Sequence, residues 1–309
     1  MSELALQIIR ENIEKHERGE DARTLDLGNC GLTELPEEVG ELIWLEELYL
    51  SKDWYHWVKK GTGDYGIRYS YSINQGENNK LKRIGDCIGK LTNLKTIVVS
   101  GAHNWDFEVY SFYSLRTCIK LKSIIARYAR IENLHGLEFL QNLRTLDIGH
   151  SLVSDIQPIL NNKNLQAVDL RHSNIKSIAG IENLSNLKYL NLNGNKITSL
   201  KPILPFLKKG FKIVRGRDKI LEDQIKFDEF SELIEPPYSI LFAGNAAILR
   251  YFEEKEKTGE VLLLEAKLIL LGDGRSGKTS LANRLLGKPM PTEADRTQGR
   301  GHRHRRVRI

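Results

Sequence analysis

The chain has 309 residues, of which 40% are apolar or aromatic and 28% are Asp, Glu, Lys or Arg. At about 150 residues per domain this composition implies about two globular domains, and it excludes a collagen, a disulfide scaffold and wholesale disorder. The formal charge is +6, but Arg300, Arg303, Arg305, Arg306 and Arg308 supply five of those charges, so the basicity belongs to a tail and not to the body of the chain.

The first segment, residues 1–20, places Leu4, Ile8, Ile9 and Ile13 about one helical turn apart, which predicts an amphipathic capping helix over 2–18. It has no apolar signal core, and no uncharged apolar run approaches the ~18 residues that a membrane span needs. Cys30, Cys87 and Cys118 are odd in number and none is spaced as a metal knuckle or redox pair. The expectation is a soluble, cytoplasmic protein in a reducing compartment.

A repeat then runs through residues 21–235. Leu121, Leu143, Leu165 and Leu187 head segments exactly one 22-residue step apart, and apolar residues recur within each, as in Leu165, Val168, Leu170, Ile175 and Ile178. This is the leucine-rich-repeat pattern. Alternation on a short strand turns these residues inward, and stacked coils share one core because a single coil cannot bury its own apolar side. The asparagine position of the repeat holds Cys30, Asn79, Ser151, Ser173 and Asn195, where a small polar side chain can bond unpaired backbone groups.

Earlier coils are less regular. Leu25, Leu27, Leu32 and Leu35 make one, and Leu45, Leu48 and Leu50 begin another that resumes at Leu81 and Ile84 after an insertion near 51–78. That insertion carries Trp54, Tyr55, Trp57, Tyr65, Tyr69 and Tyr71 with Gly61, Gly63 and Gly66. A second interruption near 102–118, with Trp105, Phe107, Tyr110, Phe112 and Tyr113, follows Leu94, Ile97 and Val99. These aromatics read either as anchors for a protein partner or as side chains packing on one another to hold long loops down. The outward strand positions Glu46, Glu47, Tyr49, Arg144, Asp147, Asp169, Tyr189 and Asn191 form the other candidate partner surface, on the concave wall.

The period fades after Leu200, where Pro202, Pro205, Pro236 and Pro237 interrupt the chain. Residues 236–262 form a cap or linker, with Asn245 as N-cap of a helix containing Ile248, Leu249, Tyr251 and Phe252 and ending near Gly259. Residues 272–279 then read Gly-Asp-Gly-Arg-Ser-Gly-Lys-Thr, a full match to the phosphate-binding P-loop. Lys267 to Leu271 is the expected strand before it, and Ser280, Leu281, Ala282, Leu285 and Leu286 continue as a helix that Gly287 and Pro289 end. Gly272, Gly274, Arg275, Ser276, Gly277 and Ser280 line the cradle, Lys278 bridges the β- and γ-phosphates, and Thr279 offers its hydroxyl to Mg²⁺.

The order of repeats, capping helix and P-loop, with Gly244 to Phe252, Glu265 to Leu268 and the loop from Gly272 to Thr279, resembles the amino-terminal part of a Roco protein. The resemblance spans about residue 21 to Gly299. It implies a Ras-like Roc domain that binds GTP or GDP with Mg²⁺, a COR dimerisation domain beyond it, and Thr297 in the place of the switch threonine. The sequence departs from the family by stopping inside Roc: residues 263–299 lack the Asp-x-x-Gly and guanine-reading segments, and the basic tail 300–309 has no counterpart.

The expected architecture is therefore α/β, a leucine-rich-repeat solenoid followed by an incomplete P-loop βα unit. Two functions follow. One is a truncated Roco-type guanine-nucleotide-binding protein with weak or absent nucleotide binding, no catalytic residue and no GTP turnover. The other is a protein-binding repeat scaffold with a vestigial P-loop, with neither membrane nor nucleic acid among its expected partners.

Overall fold

A computed structural model of the chain describes residues 2–59, 65–101, 107–214, 222–228, 232–258, 265–266, 278–285 and 307–308. The chain divides into two compact units, Met1–Phe252 and Glu253–Ile309. The first opens with helix α1 (Glu3–Glu17), whose N-cap Ser2 accepts a hydrogen bond from the Ala5 amide. Ala5 and Ile9 are buried, with Leu4, Ile8 and Ile13 packed around them. Buried Asn12 donates to the carbonyls of Ala22 and Thr24, both at 3.1 Å, and accepts from Trp44 Nε1 at 3.0 Å. It thereby satisfies the open edge of the first strand, which a bare solenoid end would expose.

The strands follow in chain order: β1 (Thr24–Asp26), β2 (Glu47–Tyr49), a hairpin of β3 (Asp53–Lys59) and β4 (Tyr65–Tyr71), then β5 (Thr96–Val98), β6 (Ser123–Ile125), β7 (Thr145–Asp147), β8 (Ala167–Asp169), β9 (Tyr189–Asn191), β10 (Lys212–Val214) and β11 (Gln224–Lys226). Nine of them form one parallel sheet in the order β1-β2-β5-β6-β7-β8-β9-β11-β10. Each strand is three residues long because each coil contributes only its central alternating stretch before turning away. The repeat leucines Leu121, Leu143, Leu165 and Leu187 and their partners lie in one continuous core running from Ala5 to Phe252.

Polar ladders hold the coils in register. Asn79 accepts from the amides of Cys30 and Leu32 and donates to the carbonyls of Leu27 and Leu50, joining two coils through four bonds of 2.7–3.1 Å. Asn195 does the same work later, donating to the Leu170 and Leu192 carbonyls and accepting from the Ile175 amide. Ser151 and Ser173 bond each other at 2.8 Å. A second ladder escaped the sequence reading. Asn93, Asn142, Asn164 and Asn186, each just before a repeat leucine, donate to a carbonyl of the preceding coil at Ile43, Ile119, Gln141 and Lys163.

The interruption expected over 102–118 narrows. Phe107, Val109, Phe112, Leu115 and Cys118 are all buried and serve as the inward residues of an ordinary coil; residues 102–106 lie outside the described residues. The sheet also continues past the fading period. After helix α2 (Leu204–Lys208), β10 takes the sheet edge and β11, later in the chain, inserts between it and β9. Beyond helix α3 (Tyr238–Leu241) comes α4 (Asn245–Thr258), which buries Ile248 and Phe252. Asn245 begins that helix, and its side chain donates to the Phe211 carbonyl at 2.6 Å.

Besides the end of α4 from Glu253 to Thr258, the described parts of the second unit are a short antiparallel pair, β12 (Glu265–Ala266) with β13 (Val307–Arg308), and helix α5 (Lys278–Leu285). Among the described residues no helix is long and apolar enough to cross a membrane.

Candidate functional site

The concave wall is built from the strand side chains that face away from the core. In its first half the row Tyr49, Val98 and Ile125 is apolar, and the insertion hairpin lays Trp54 onto it. The Trp54 ring stacks on Tyr49 with centroids 4.4 Å apart, and both are buried. The Tyr49 hydroxyl donates to Glu47 at 2.8 Å. Of the hairpin aromatics, Trp54 packs inward, whereas Tyr69 and Tyr71 on β4 are exposed. The side chains of Tyr55, Trp57 and Tyr65, with Gly61, Gly63 and Trp105, lie outside the described residues.

In the second half the same row continues as Asp147, Asp169 and Asn191, all buried. Arg127 donates to Asp147 through Nε at 2.8 Å and through a terminal nitrogen at 2.9 Å, and reaches Asp169 at 3.3 Å. Arg171 approaches Asp169 at 3.0 Å, and Asn191 donates to the same carboxylate at 3.2 Å. A glycine between the two arginines makes this possible, since a Cβ at Gly149 would stand 3.0 Å from Arg171 Cγ. Burial pushes the Asp169 carboxyl above its ordinary range, with Asp147 adding to the effect and the two arginines opposing it. Desolvation works against the Arg171 charge, but Asp169 and Asp147 outweigh it and hold its pKa raised. The network is self-compensated and offers a partner little free charge.

This corrects the expected concave surface. Tyr49, Asp147, Asp169, Tyr189 and Asn191 point outward from the core, as the alternation requires, yet they are buried. Glu46, Glu47 and Arg144 remain accessible. Sequence reasoning missed Arg127 and Arg171, although their separation of 44 residues, two repeat steps, was the available signal.

The amino-terminal rim of the wall is accessible. Thr96, Ser123 and Thr145 lie opposite one another on β5, β6 and β7, flanked by Lys95, Lys122 and Arg144. Lys95 pairs with Glu46 at 2.6 Å. Along the opposite rim the rings of Tyr128, His150 and His172 stack at 4.2 and 4.5 Å. Each takes a left-handed backbone, with φ of 54°, 60° and 50°, and Gly194 takes the equivalent place in the next coil. The three cysteines are unpaired and buried.

For the P-loop segment, helix α5 starts at Lys278 and includes Thr279 and Ser280. Gly272, Gly274, Arg275, Ser276 and Gly277 lie outside the described residues, as do the strand expected at Lys267 to Leu271, Gly287, Pro289 and Thr297. The Lys278 and Thr279 side chains are also outside the description.

Residues 163–205 match the family model described as Leucine Rich repeats (2 copies). No curated protein matches the chain at a significant level. Among solved structures, internalin C2 from Listeria monocytogenes aligns over 63% of this chain and 87% of its own, with 21% identity and a TM-score of 0.43. An internalin (inlF) from the same organism aligns over 58% of this chain and 50% of its own, with 17% identity and a TM-score of 0.37. The leucine-rich repeat domain of the type III effector XopL aligns over 63% and 60%, with 17% identity and a TM-score of 0.46. This chain thus spans about half the length of the inlF chain. The matched segment lies wholly within the coils from Lys163 to Pro205, and with the parallel nine-stranded sheet it makes the first unit a leucine-rich-repeat solenoid.

Proposed function

We propose that the chain is a protein-interaction scaffold whose repeat unit presents one face of its sheet to a protein partner. The observation that carries this reading is the continuous parallel wall from β1 to β9, which leaves a polar, accessible rim beside a row that Trp54 covers in its first half and a buried ionic network fills in its second. A rigid surface of this kind suits recognition better than turnover, because it holds many contacts at fixed spacing. Unpaired buried cysteines accord with a reducing, cytoplasmic location. Photo-crosslinking tests the scaffold reading. Benzoylphenylalanine at Thr145 on the rim should yield discrete protein adducts in an extract of the source cell, and the same group at Asn183 on the opposite side of the coil should not. Adducts from neither site, or equally from both, would refute it.

A second reading is favoured by one observation, that the sequence Gly-Asp-Gly-Arg-Ser-Gly-Lys-Thr runs directly into a helix beginning at Lys278. We propose that residues 272–280 cradle the phosphates of a guanine nucleotide in the manner of a Roco protein, with Lys278 on the phosphates and Thr279 on Mg²⁺. The helix amino end supports this by favouring negative charge. Calorimetry with Mg-GTP, Mg-GDP and Mg-ATP tests it: weak heat that Lys278→Ala abolishes is expected, without preference for guanine because residues 263–299 lack the guanine-reading segments, and heat unchanged by that substitution refutes it.

A further inference from the structure

We infer that the amino-terminal rim of the concave wall binds an acidic stretch of the partner chain, across the coils of β5, β6 and β7. The inference rests on the scaffold reading and adds the chemistry of the recognised segment.

Three observations carry it. Lys122 and Arg144 stand at the same place in successive coils, both exposed, and among the described residues no carboxylate pairs with either. The cations at the two ends of that line are already neutralised, Lys95 by Glu46 at 2.6 Å and Lys188 by Glu222 at 3.2 Å. Uncompensated positive charge is thus confined to the middle coils.

Beside it runs a row of hydroxyls. Thr96, Ser123 and Thr145 face one another in register, each half-buried, and among the described residues none of the three hydroxyls has a hydrogen-bond partner. Hydroxyls donate readily to carboxylates, and charge-assisted bonds of that kind are stronger than neutral ones. The row is bounded: its next members are Glu47 on β2, which would repel an acidic ligand, and Ala167 on β8, which has no donor. Neighbouring strands lie about 4.8 Å apart, so the three coils span roughly 10 Å, the reach of about three extended residues.

Charge complementarity therefore selects an acidic peptide segment. A nucleic acid would use aromatic platforms for its bases and a wider positive field. The rim has no aromatic side chain at these positions, and removing the five arginines of 300–309 from the formal +6 leaves the rest of the chain at +1.

The test uses the full chain and fluorescence anisotropy with fluorescein-labelled hexaglutamate, and with a labelled single-stranded hexanucleotide for comparison. Hexaglutamate should bind, and the double variant Lys122→Glu, Arg144→Glu should weaken it at least about tenfold, as close interfacial charges do. Ser123→Ala with Thr145→Ala should weaken it about threefold or more. Lys176→Glu with Lys196→Glu, which makes the same change of net charge away from the rim, should leave binding unchanged. Far-ultraviolet circular dichroism and thermal melting confirm that each variant is folded. Absence of hexaglutamate binding, or equal loss in both charge-reversal variants, overturns the inference. So does rim-dependent binding of the oligonucleotide alone. Protein adducts at Thr145 without hexaglutamate binding would leave the scaffold reading standing and remove this one.

Discussion

Replacing Asn79 by alanine should destabilise the amino-terminal coils by about 4 kcal/mol. The side chain makes four bonds in the interior, accepting from the Cys30 and Leu32 amides at 3.1 and 2.8 Å and donating to the Leu27 and Leu50 carbonyls at 2.7 Å each. Alanine orphans two donors and two acceptors that water cannot reach, at about 1 kcal/mol or more for each. Folded domains are stable by only about 5–15 kcal/mol in total, so the loss is a large fraction. The comparator is Ser151→Ala, at the same place in a later coil, where the hydroxyl meets Ser173 at 2.8 Å and the Val153 amide only at 3.5 Å. That variant should lose about 1 kcal/mol. Urea unfolding followed by circular dichroism measures both. With a slope of about 2–3 kcal/mol/M, the Asn79 variant's midpoint should fall by roughly 1.5 M. If the two substitutions cost the same, the idea that this side chain staples neighbouring coils fails.

Three other substitutions or treatments have defined outcomes. Trp54→Ala should uncover Tyr49, Val98 and Ile125, cost about 3 kcal/mol and create binding of an apolar dye; an unchanged melt with no dye binding contradicts the packing described. Arg127→Ala leaves the buried Asp147 and Asp169 short of a cation and should cost about 3–5 kcal/mol at pH 7. Burial already raises the Asp169 pKa, so the native chain holds this proton more tightly than the unfolded chain, and the stability it lends is greatest in acid and lost as pH rises. The variant's deficit should therefore shrink between pH 7 and pH 5, and an equal deficit at both would be evidence against the network. Burial pushes the thiols of Cys30 and Cys87 up to about 11 and that of Cys118 up to about 12. A disulfide reagent at pH 8 should thus label the native chain at least 100-fold more slowly than the urea-unfolded one.

The coils were legible because a 22-residue period written in leucines is a long-range signal that local noise does not erase, and Asn79 and Asn195 marked their turns without any structure. What escaped depended on contacts between residues far apart in the chain. Nothing near Trp54 says that its ring lies on Tyr49, Val98 and Ile125, because those three side chains meet only once the coils are stacked. Asp147 and Asp169 looked like free surface because the alternation that turns them outward is blind to Arg127 and Arg171 folding over them. Asn12 carries no mark of its role in the sequence, because the Ala22 and Thr24 carbonyls it bonds meet it only once α1 covers the first strand. The stretch near 102–118 reads as an interruption because Phe107 and Phe112 stand where leucines are usual, and aromatics in a loop-like stretch disguise a core role.

The crossed order at the end of the sheet has a consequence for how such a chain can be lengthened or shortened. Between Leu121 and Leu187 every coil hands its successor the same edge, so a duplicated or deleted 22-residue block should be absorbed with the ladders intact. Past β9 that arithmetic stops. The strand that β9 meets next, Gln224–Lys226, is drawn from further along the chain than its outer neighbour Lys212–Val214, so the array terminates by folding back upon itself. A block added or removed there would have to preserve that crossed order, a constraint that the coils between Leu121 and Leu187 do not carry.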